Sequence, residues 1–354
     1  MIEQSTLKME LDHGFFMHRC LDLAQLGAAD VFPNPMVGCV IVHDGKIIGE
    51  GYHQKYGEAH AEVNAINAVK HPELLPKSTV YVSLEPCAHY GKTPPCALLL
   101  IQKKVQKIVI GCRDSFAQVD GKGIELLKHA GIEVSVGILE EECIAVNKRF
   151  FTFHNKNRPF ITLKWAQSKD GFFAPHANQG IHWITNESTQ IFTHSLRAKE
   201  HAILVGINTV LIDNPSLDVR AIIGKSPIRI VIDSALKIKE SNKEIKLIQD
   251  KQPTIVLNAS YEAQEGNVHY KAITPFTLDN CLIALHKMNI LSILIEGGAT
   301  TLNYFIAQGV WDEAFILHGQ KNIENGIPAP IINFYSNSQH EKFANGDQLT
   351  HYTK

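Results

Sequence analysis

TVYVSLEPCAHYGKTPPCALLLIQKKVQKIVIGCRD, residues 79–114, decides how the first half of the chain folds. TVYVSLE (79–85) is a short β-branched and apolar run that ends at Pro86, and it reads as a strand. CALLLIQKK (96–104) reads as a helix and KIVIGCRD (107–114) as the next strand. Upstream, VGCVIV (37–42) and KIIGEGY (46–52) are joined through Asp44-Gly45, a strong hairpin signal. Residues 12–27 carry apolar side chains at helical spacing up to Gly27, and AEVNAINAVKH (61–71) reads as a second helix. Downstream, GIELLKHAG (123–131) predicts a helix and IEVSVGI (132–138) a strand. Strands alternating with helices imply an α/β sheet with helices on its faces.

EEECIAVNKRFFTF (140–153) reads as a connecting helix, and His154–Pro159 is polar and ends in proline, which disfavours helix before it. The domain boundary is expected there, with domains at 12–153 and 159–354. FITLKWAQSKDG (160–171) restarts a strand and ends in a Lys-Asp-Gly turn. Further strands are expected at 201–206, 228–233, 254–258, 292–298 and 313–319, with helices at 187–199, 277–288 and 300–309. This is a second α/β domain; residues 322–354 are weakly patterned and receive no assignment.

The chain has 354 residues, of which 45% are hydrophobic and 20% charged, with a net charge of -2. These values suit a globular protein of two ordinary domains. Without a basic excess, capture of a nucleic-acid backbone is not favoured, and a small-molecule substrate fits better. The N-terminal sequence lacks an apolar signal region and no stretch is long enough to span a bilayer, so a cytoplasmic location is expected, with no membrane partner. Seven cysteines at irregular spacing do not form a disulfide framework. Cys20, Cys39, Cys112, Cys143 and Cys281 read as buried free thiols.

The chemistry is concentrated in His60-Ala61-Glu62, Pro86-Cys87 and Cys96. His60 and Glu62 sit at a helix start, Cys87 at a strand end and Cys96 at the next helix start. H-x-E followed by P-C-x-x-C is the known signature of zinc deaminases, with eight residues here between the cysteines in place of two. One imidazole and two thiolates satisfy a catalytic Zn2+ and leave a fourth position open for water. Glu62 is then the general acid/base that moves protons between water and leaving ammonia. A closed structural zinc site would need a fourth ligand, and His89 is the nearby candidate.

NPMVGCVIV (34–42), GYHQKYGEAHAEVNA (51–65) and SLEPCAHYGKTPPC (83–96) resemble the deaminase domain of the bifunctional riboflavin-biosynthesis deaminase–reductase family. The long cysteine spacing is that family's own. ITLKWAQSKDG (161–171), HWIT (182–185), GINTVLIDNPSLDVR (206–220), VIDS (231–234) and IEGGATTLNYF (295–305) resemble its reductase domain, in the same order. The resemblance covers most of residues 12–320. It implies a cytidine-deaminase-like three-layer α/β/α domain followed by a dihydrofolate-reductase-like α/β domain that uses NADPH. The implied reactions are zinc-dependent deamination of a phosphorylated diaminopyrimidine, then reduction of the ribosylamino group to ribitylamino. A single-activity pyrimidine deaminase with a non-catalytic C-terminal domain is the alternative. Homo-oligomerisation stays open.

Residue by residue, the resemblance puts Asn34, His53, His89 and Lys92 around the deaminase substrate, with His89 and Lys92 suited to a phosphate. Lys164, Arg197, Leu217, Arg220 and Glu296 fall around the phosphoribosyl substrate of the reductase, whose phosphate suits the two arginines. Ala166, Trp183, Thr209, Asp213, Ser234, Gly297 and Gly298 fall on the cofactor side. Gly297-Gly298, after a strand and before a helix, also lets the backbone approach a diphosphate. Blander readings stand beside these: a solvated loop for His53, a surface lysine for Lys92, and the polar partner of a turn for Asp213. Ile181 occupies a position where the family often has a substrate-binding serine.

Overall fold

The computed structural model describes residues 12–90, 94–115, 121–176 and 184–354. The chain divides into two units, Met1–Lys156 and Asn157–Lys354. Among the described residues, no helix is long and apolar enough to cross a membrane.

The first unit runs α1 (His13–Gln25), β1 (Gly38–His43), β2 (Lys46–Tyr52), α2 (Ala61–Ala68), β3 (Thr79–Leu84), α3 (Cys96–Gln102), β4 (Lys107–Cys112), α4 (Lys122–His129), β5 (Glu133–Val136), α5 (Glu140–Val146) and α6 (Lys148–Lys156). The strands order as β2-β1-β3-β4-β5. β1 is antiparallel to both neighbours, while β3, β4 and β5 are parallel. Side chains alternate across this sheet and each face carries its own core. Cys39, Ile41, Val80, Val82, Ile108 and Ile110 pack with α2, α3 and α4. Val40, Val42, Tyr81 and Val109 pack with α1, Cys143 and Phe150. This is the three-layer arrangement. Burial on both faces explains why the inner strands β1, β3 and β4 are largely apolar runs without polar alternation. At the hairpin, Asp44 and Gly45 both take positive φ, 48° and 73°, as a type I′ turn requires.

The second unit runs β6 (Phe160–Gln167), β7 (Phe172–Pro175), α7 (Glu187–Lys199), β8 (Ala202–Gly206), α8 (Ile207–Asp213), β9 (Ile228–Ile232), α9 (Lys237–Glu240), α10 (Lys246–Gln249), β10 (Thr254–Asn258), β11 (Ala263–Glu265), β12 (Val268–Ala272), α11 (Leu278–Lys287), β13 (Ser292–Ile295), α12 (Ala299–Ala307), β14 (Glu313–His318), β15 (Gly326–Pro328), β16 (Asn337–Lys342) and β17 (Gln348–Thr353). Its large sheet has the order β11-β12-β10-β9-β8-β13-β6-β14-β17-β16. The seven strands from β12 to β14 are mutually parallel, and antiparallel strands extend both edges.

Several local expectations shift. The helix expected at 61–71 ends at Ala68, and Pro72–Lys77 forms a 3-10 turn. The strand expected through Gly298 stops at Ile295, which leaves Glu296, Gly297 and Gly298 as a connecting turn. The connecting helix at 140–153 is broken at Asn147 into α5 and α6. The unpatterned tail supplies β15 and the β16–β17 hairpin, whose polar residues pair along the edge of β14. Its order comes from backbone pairing, which leaves no apolar period to read. The five cysteines read as buried free thiols are buried and free.

Candidate active sites

His60 is the N-cap of α2, Cys87 lies three residues beyond β3, and Cys96 opens α3. Their ligand atoms lie within 4.8 Å of one another. His60 Nδ1 is 3.5 Å from Cys87 Sγ and 3.4 Å from Cys96 Sγ. Tetrahedral zinc, with bonds of about 2.3 Å to sulfur and 2.0 Å to nitrogen, separates such atoms by about 3.6 Å. Both nitrogen–sulfur separations match that spacing, so the donor set fits Zn2+. Backbone contacts hold it: Cys96 N–H donates to Cys87 Sγ at 3.3 Å, and Ala97 N–H to the Cys87 carbonyl at 3.2 Å. The hydrogen bond between the two thiols holds Cys87 down to about 4 and, with burial, pushes Cys96 up. Zinc binds thiolates, so a dication seated here would displace the protons that the two sulfurs carry.

Glu62 is 3% exposed and stands outside the ligand cluster while hydrogen-bonding Cys96. Burial and the neighbouring Cys87 thiolate push its carboxyl up to about 7. Among the described residues, His89 is not part of the cluster, so a closed four-ligand site lacks its last member. Asn34 and His53 are in contact. The Ala59 carbonyl can only accept, so His53 Nδ1 donates to it at 3.1 Å, and Nε2 then accepts from Asn34 Nδ2, also at 3.1 Å. That relay fixes the Asn34 amide with its oxygen as the remaining acceptor. Lys92 lies outside the described residues.

Two supporting residues were not anticipated. The buried Glu85 carboxylate, at the end of the strand leading to Pro86-Cys87, accepts backbone N–H groups from Asp114, Gly121, Gly123 and Ile124 at 3.0–3.3 Å. It ties the cysteine loop to the start of α4. Gly123 packs so closely that a Cβ there would lie 2.1 Å from the Pro86 carbonyl oxygen. Asn147, at the break between α5 and α6, clasps Met36 through both its N–H and its C=O, each at 2.8 Å. It thereby fixes the loop that carries Asn34. An acid directly after an apolar strand was the available signal for Glu85; Asn147 gave none.

In the second unit, Lys164 on β6, Arg197 on α7 and Glu296 after β13 meet in a buried charge network. Arg197 donates to Glu296 through Nε and Nη2, both at 2.8 Å, and Lys164 Nζ is 4.0 Å away from the same carboxylate. Burial raises the Glu296 carboxyl, but the charges of Arg197 and Lys164 outweigh it and hold the group at about 2. Burial lowers Lys164. Arg197 also donates to the Asp218 carbonyl at 3.1 Å, so much of its fork is already engaged. The exposed guanidinium belongs to Arg220, whose side chain is 56% accessible and pairs with Asp218. Leu217 is buried with φ 54°.

On the expected cofactor side, Thr209 Oγ1 accepts the Gly298 N–H at 3.0 Å. A Cβ on Gly297 would sit 2.7 Å from Val205 Cα, so glycine is what lets the turn after β13 press against β8. Ala166 lies on β6. Asp213 ends α8, where Asn214 takes φ 41° and opens the turn to Pro215. Ser234 follows β9 and is exposed. Trp183 and Ile181 lie outside the described residues.

The family model for the cytidine and deoxycytidylate deaminase zinc-binding region matches residues 11–112, and that for the RibD C-terminal domain matches residues 159–321. The riboflavin biosynthesis protein RibD of Aquifex aeolicus is 38% identical over 324 residues, covering 90% of this chain and 89% of that protein. The chain belongs to the RibD family. The RibD protein of Escherichia coli is 36% identical over 321 residues, covering 85% and 86%. The solved structure of a diaminohydroxyphosphoribosylaminopyrimidine deaminase/5-amino-6-(5-phosphoribosylamino)uracil reductase from Thermotoga maritima has a TM-score of 0.86 at 34% identity, covering 96% of this chain and 98% of that one. The fold of the RibD family, deaminase-like then reductase-like, is thus the fold of this chain.

Proposed function

We propose that this chain catalyses two successive steps of riboflavin biosynthesis. The first is hydrolytic deamination of 2,5-diamino-6-(5-phosphoribosylamino)pyrimidin-4(3H)-one. The second is NADPH-dependent reduction of the resulting 5-amino-6-(5-phosphoribosylamino)uracil. The observation that carries the reading is the pairing of a three-ligand His60–Cys87–Cys96 cluster with family membership across both units. A deaminase with an inert C-terminal unit is not favoured, because residues 159–321 match the RibD C-terminal domain.

In the first unit, His60, Cys87 and Cys96 would hold Zn2+, which when bound supplies a Lewis acid that makes water a stronger acid near neutral pH. Glu62 takes a proton from the attacking water and passes it to the departing amine, so that water adds to the amino-bearing ring carbon and ammonia leaves. Its raised affinity for protons suits a group that must both accept and donate near pH 7. Asn34 presents its amide oxygen to a ring or exocyclic N–H, with His53 fixing that orientation. His89 and Lys92 take the substrate phosphate.

In the second unit, NADPH when bound would supply the hydride equivalent for reduction at C1′ of the ring-opened ribosylamino group, with the balancing proton taken up at its nitrogen from solvent. Gly297 and Gly298, in the turn that Thr209 holds from α8, would receive the cofactor diphosphate at the start of α12. Ala166, Asp213 and Ser234 are assigned to the cofactor side, and the family resemblance adds Trp183 to that set. Lys164, Arg197 and Glu296 form the polar floor under the sugar, Leu217 packs beside it, and Arg220 takes the phosphate. A cytoplasmic location fits a soluble nucleotide-like substrate and cofactor.

The test uses the full chain. With substrate and NADPH, ammonia release and then loss of NADPH absorbance are expected. Glu62→Gln should keep its zinc by metal analysis, release no ammonia, and still oxidise NADPH when given the deaminated substrate. Zinc loss in that variant would make Glu62 a ligand; absence of NADPH oxidation by the wild type would remove the second activity.

A further inference from the structure

His194 lies on α7 one turn before Arg197, so the two side chains share a face of the helix. It is buried at 4% exposure. Its Nδ1 receives the backbone N–H of Arg220 at 3.3 Å. Because a backbone N–H can only donate, that nitrogen is bare, and the single proton of the neutral ring sits on Nε2. Arg197 holds the Asp218 carbonyl from the same face, and Ser226 Oγ accepts the Val219 N–H at 3.0 Å. Three consecutive residues, 218–220, are therefore pinned through their backbones just after Leu217, whose left-handed conformation is costly without such support. The Arg220 guanidinium projects from this fixed backbone toward solvent.

We propose that His194 is a positioning residue of the reductase site: as a neutral acceptor it fixes the Arg220 backbone and so aims the guanidinium that receives the substrate phosphate. The inference rests on the reductase reading given above. Protonation of His194 would place a hydrogen on Nδ1 and break the contact. The charged groups that act on it are Arg197, Arg220, Asp218 and Glu296, and burial together with the two arginines favours the neutral ring.

The experiment is steady-state reductase kinetics of the full chain, comparing the wild type with H194L and H194N. Asparagine can place its amide oxygen where Nδ1 stands; leucine removes the acceptor. H194L should raise KM for the phosphorylated substrate roughly tenfold, as expected for one lost hydrogen bond, with kcat and the KM for NADPH nearly unchanged. H194N should recover most of the loss. As pH falls, the wild-type KM should climb more steeply than that of H194N, whose rise follows the substrate phosphate alone. Ammonia release by the first unit reports that each variant is folded and at equal concentration. An unchanged substrate KM in H194L, or H194N as impaired as H194L, overturns the assignment of His194. If H194L fails to fold, the pH profile of H194N against the wild type decides. A wild type that oxidises no NADPH instead overturns the reductase reading itself.

Discussion

Glu296→Gln is the most informative single change in the second unit. The carboxylate is 10% accessible, accepts two hydrogen bonds from Arg197 and lies beside Lys164. Its folded-state pKa of about 2 is below the ordinary 4.5. A difference of that size corresponds to about 3 kcal/mol of stability at pH 7, since each pH unit is worth about 1.4 kcal/mol. Because the folded value is depressed, this contribution is complete above pH 4.5 and is lost as pH falls toward 2. Glutamine has the same shape, but it carries no charge and turns an N–H toward the Arg197 fork. Two buried cations are then left without their counter-charge, a loss of the same few kcal/mol. Trp165, Trp183 and Trp311, the chain's three tryptophans, all belong to the second unit. Urea unfolding followed by tryptophan fluorescence therefore isolates it within the intact chain. The expected destabilisation is about 3 kcal/mol at pH 7, shrinking to about 1 kcal/mol near pH 3. Equal stability of wild type and variant at pH 7, or a difference that does not change between pH 7 and pH 3, would refute the electrostatic account.

Four further outcomes follow from the same geometry. Glu85→Gln should cost about 2 kcal/mol and weaken zinc retention against a competing chelator, because one amide oxygen cannot replace a carboxylate that serves four N–H groups. Asn147→Ala should leave zinc content intact but raise the deaminase KM, read by ammonia release, since the Met36 clasp is lost. Stripping zinc should stop ammonia release and leave NADPH oxidation running, with added zinc restoring the first activity. Gly297→Ala should cost about 1–3 kcal/mol and raise the KM for NADPH, because the new methyl meets the Val205 backbone.

The pattern of what was readable follows from how each residue acts. His60, Glu62, Cys87 and Cys96 were legible because their chemistry is tied to local positions, a strand end and two helix starts, which hydrophobic period and Pro86 mark in the sequence. The β1–β2 hairpin was legible for the same reason, through Asp44-Gly45. Glu85, Asn147 and His194 were not, because each spends its side chain on backbone groups 26 to 111 residues away, and a backbone N–H leaves no trace in the sequence. The edge hairpin β16–β17 escaped because its residues are polar and pair through the main chain.

The sequence by itself determined the two α/β units, the metal donor set and the acid beside it, since these depend on residue type and short-range spacing. Only the tertiary structure decided how the charges of the second unit are paired. Arg197, read as a phosphate ligand, spends its fork on Glu296 and the Asp218 carbonyl, while Arg220 keeps its head in solvent. The reason is physical: a guanidinium binds carboxylate and phosphate with the same geometry, so the partner is set by which acid the fold buries beside it.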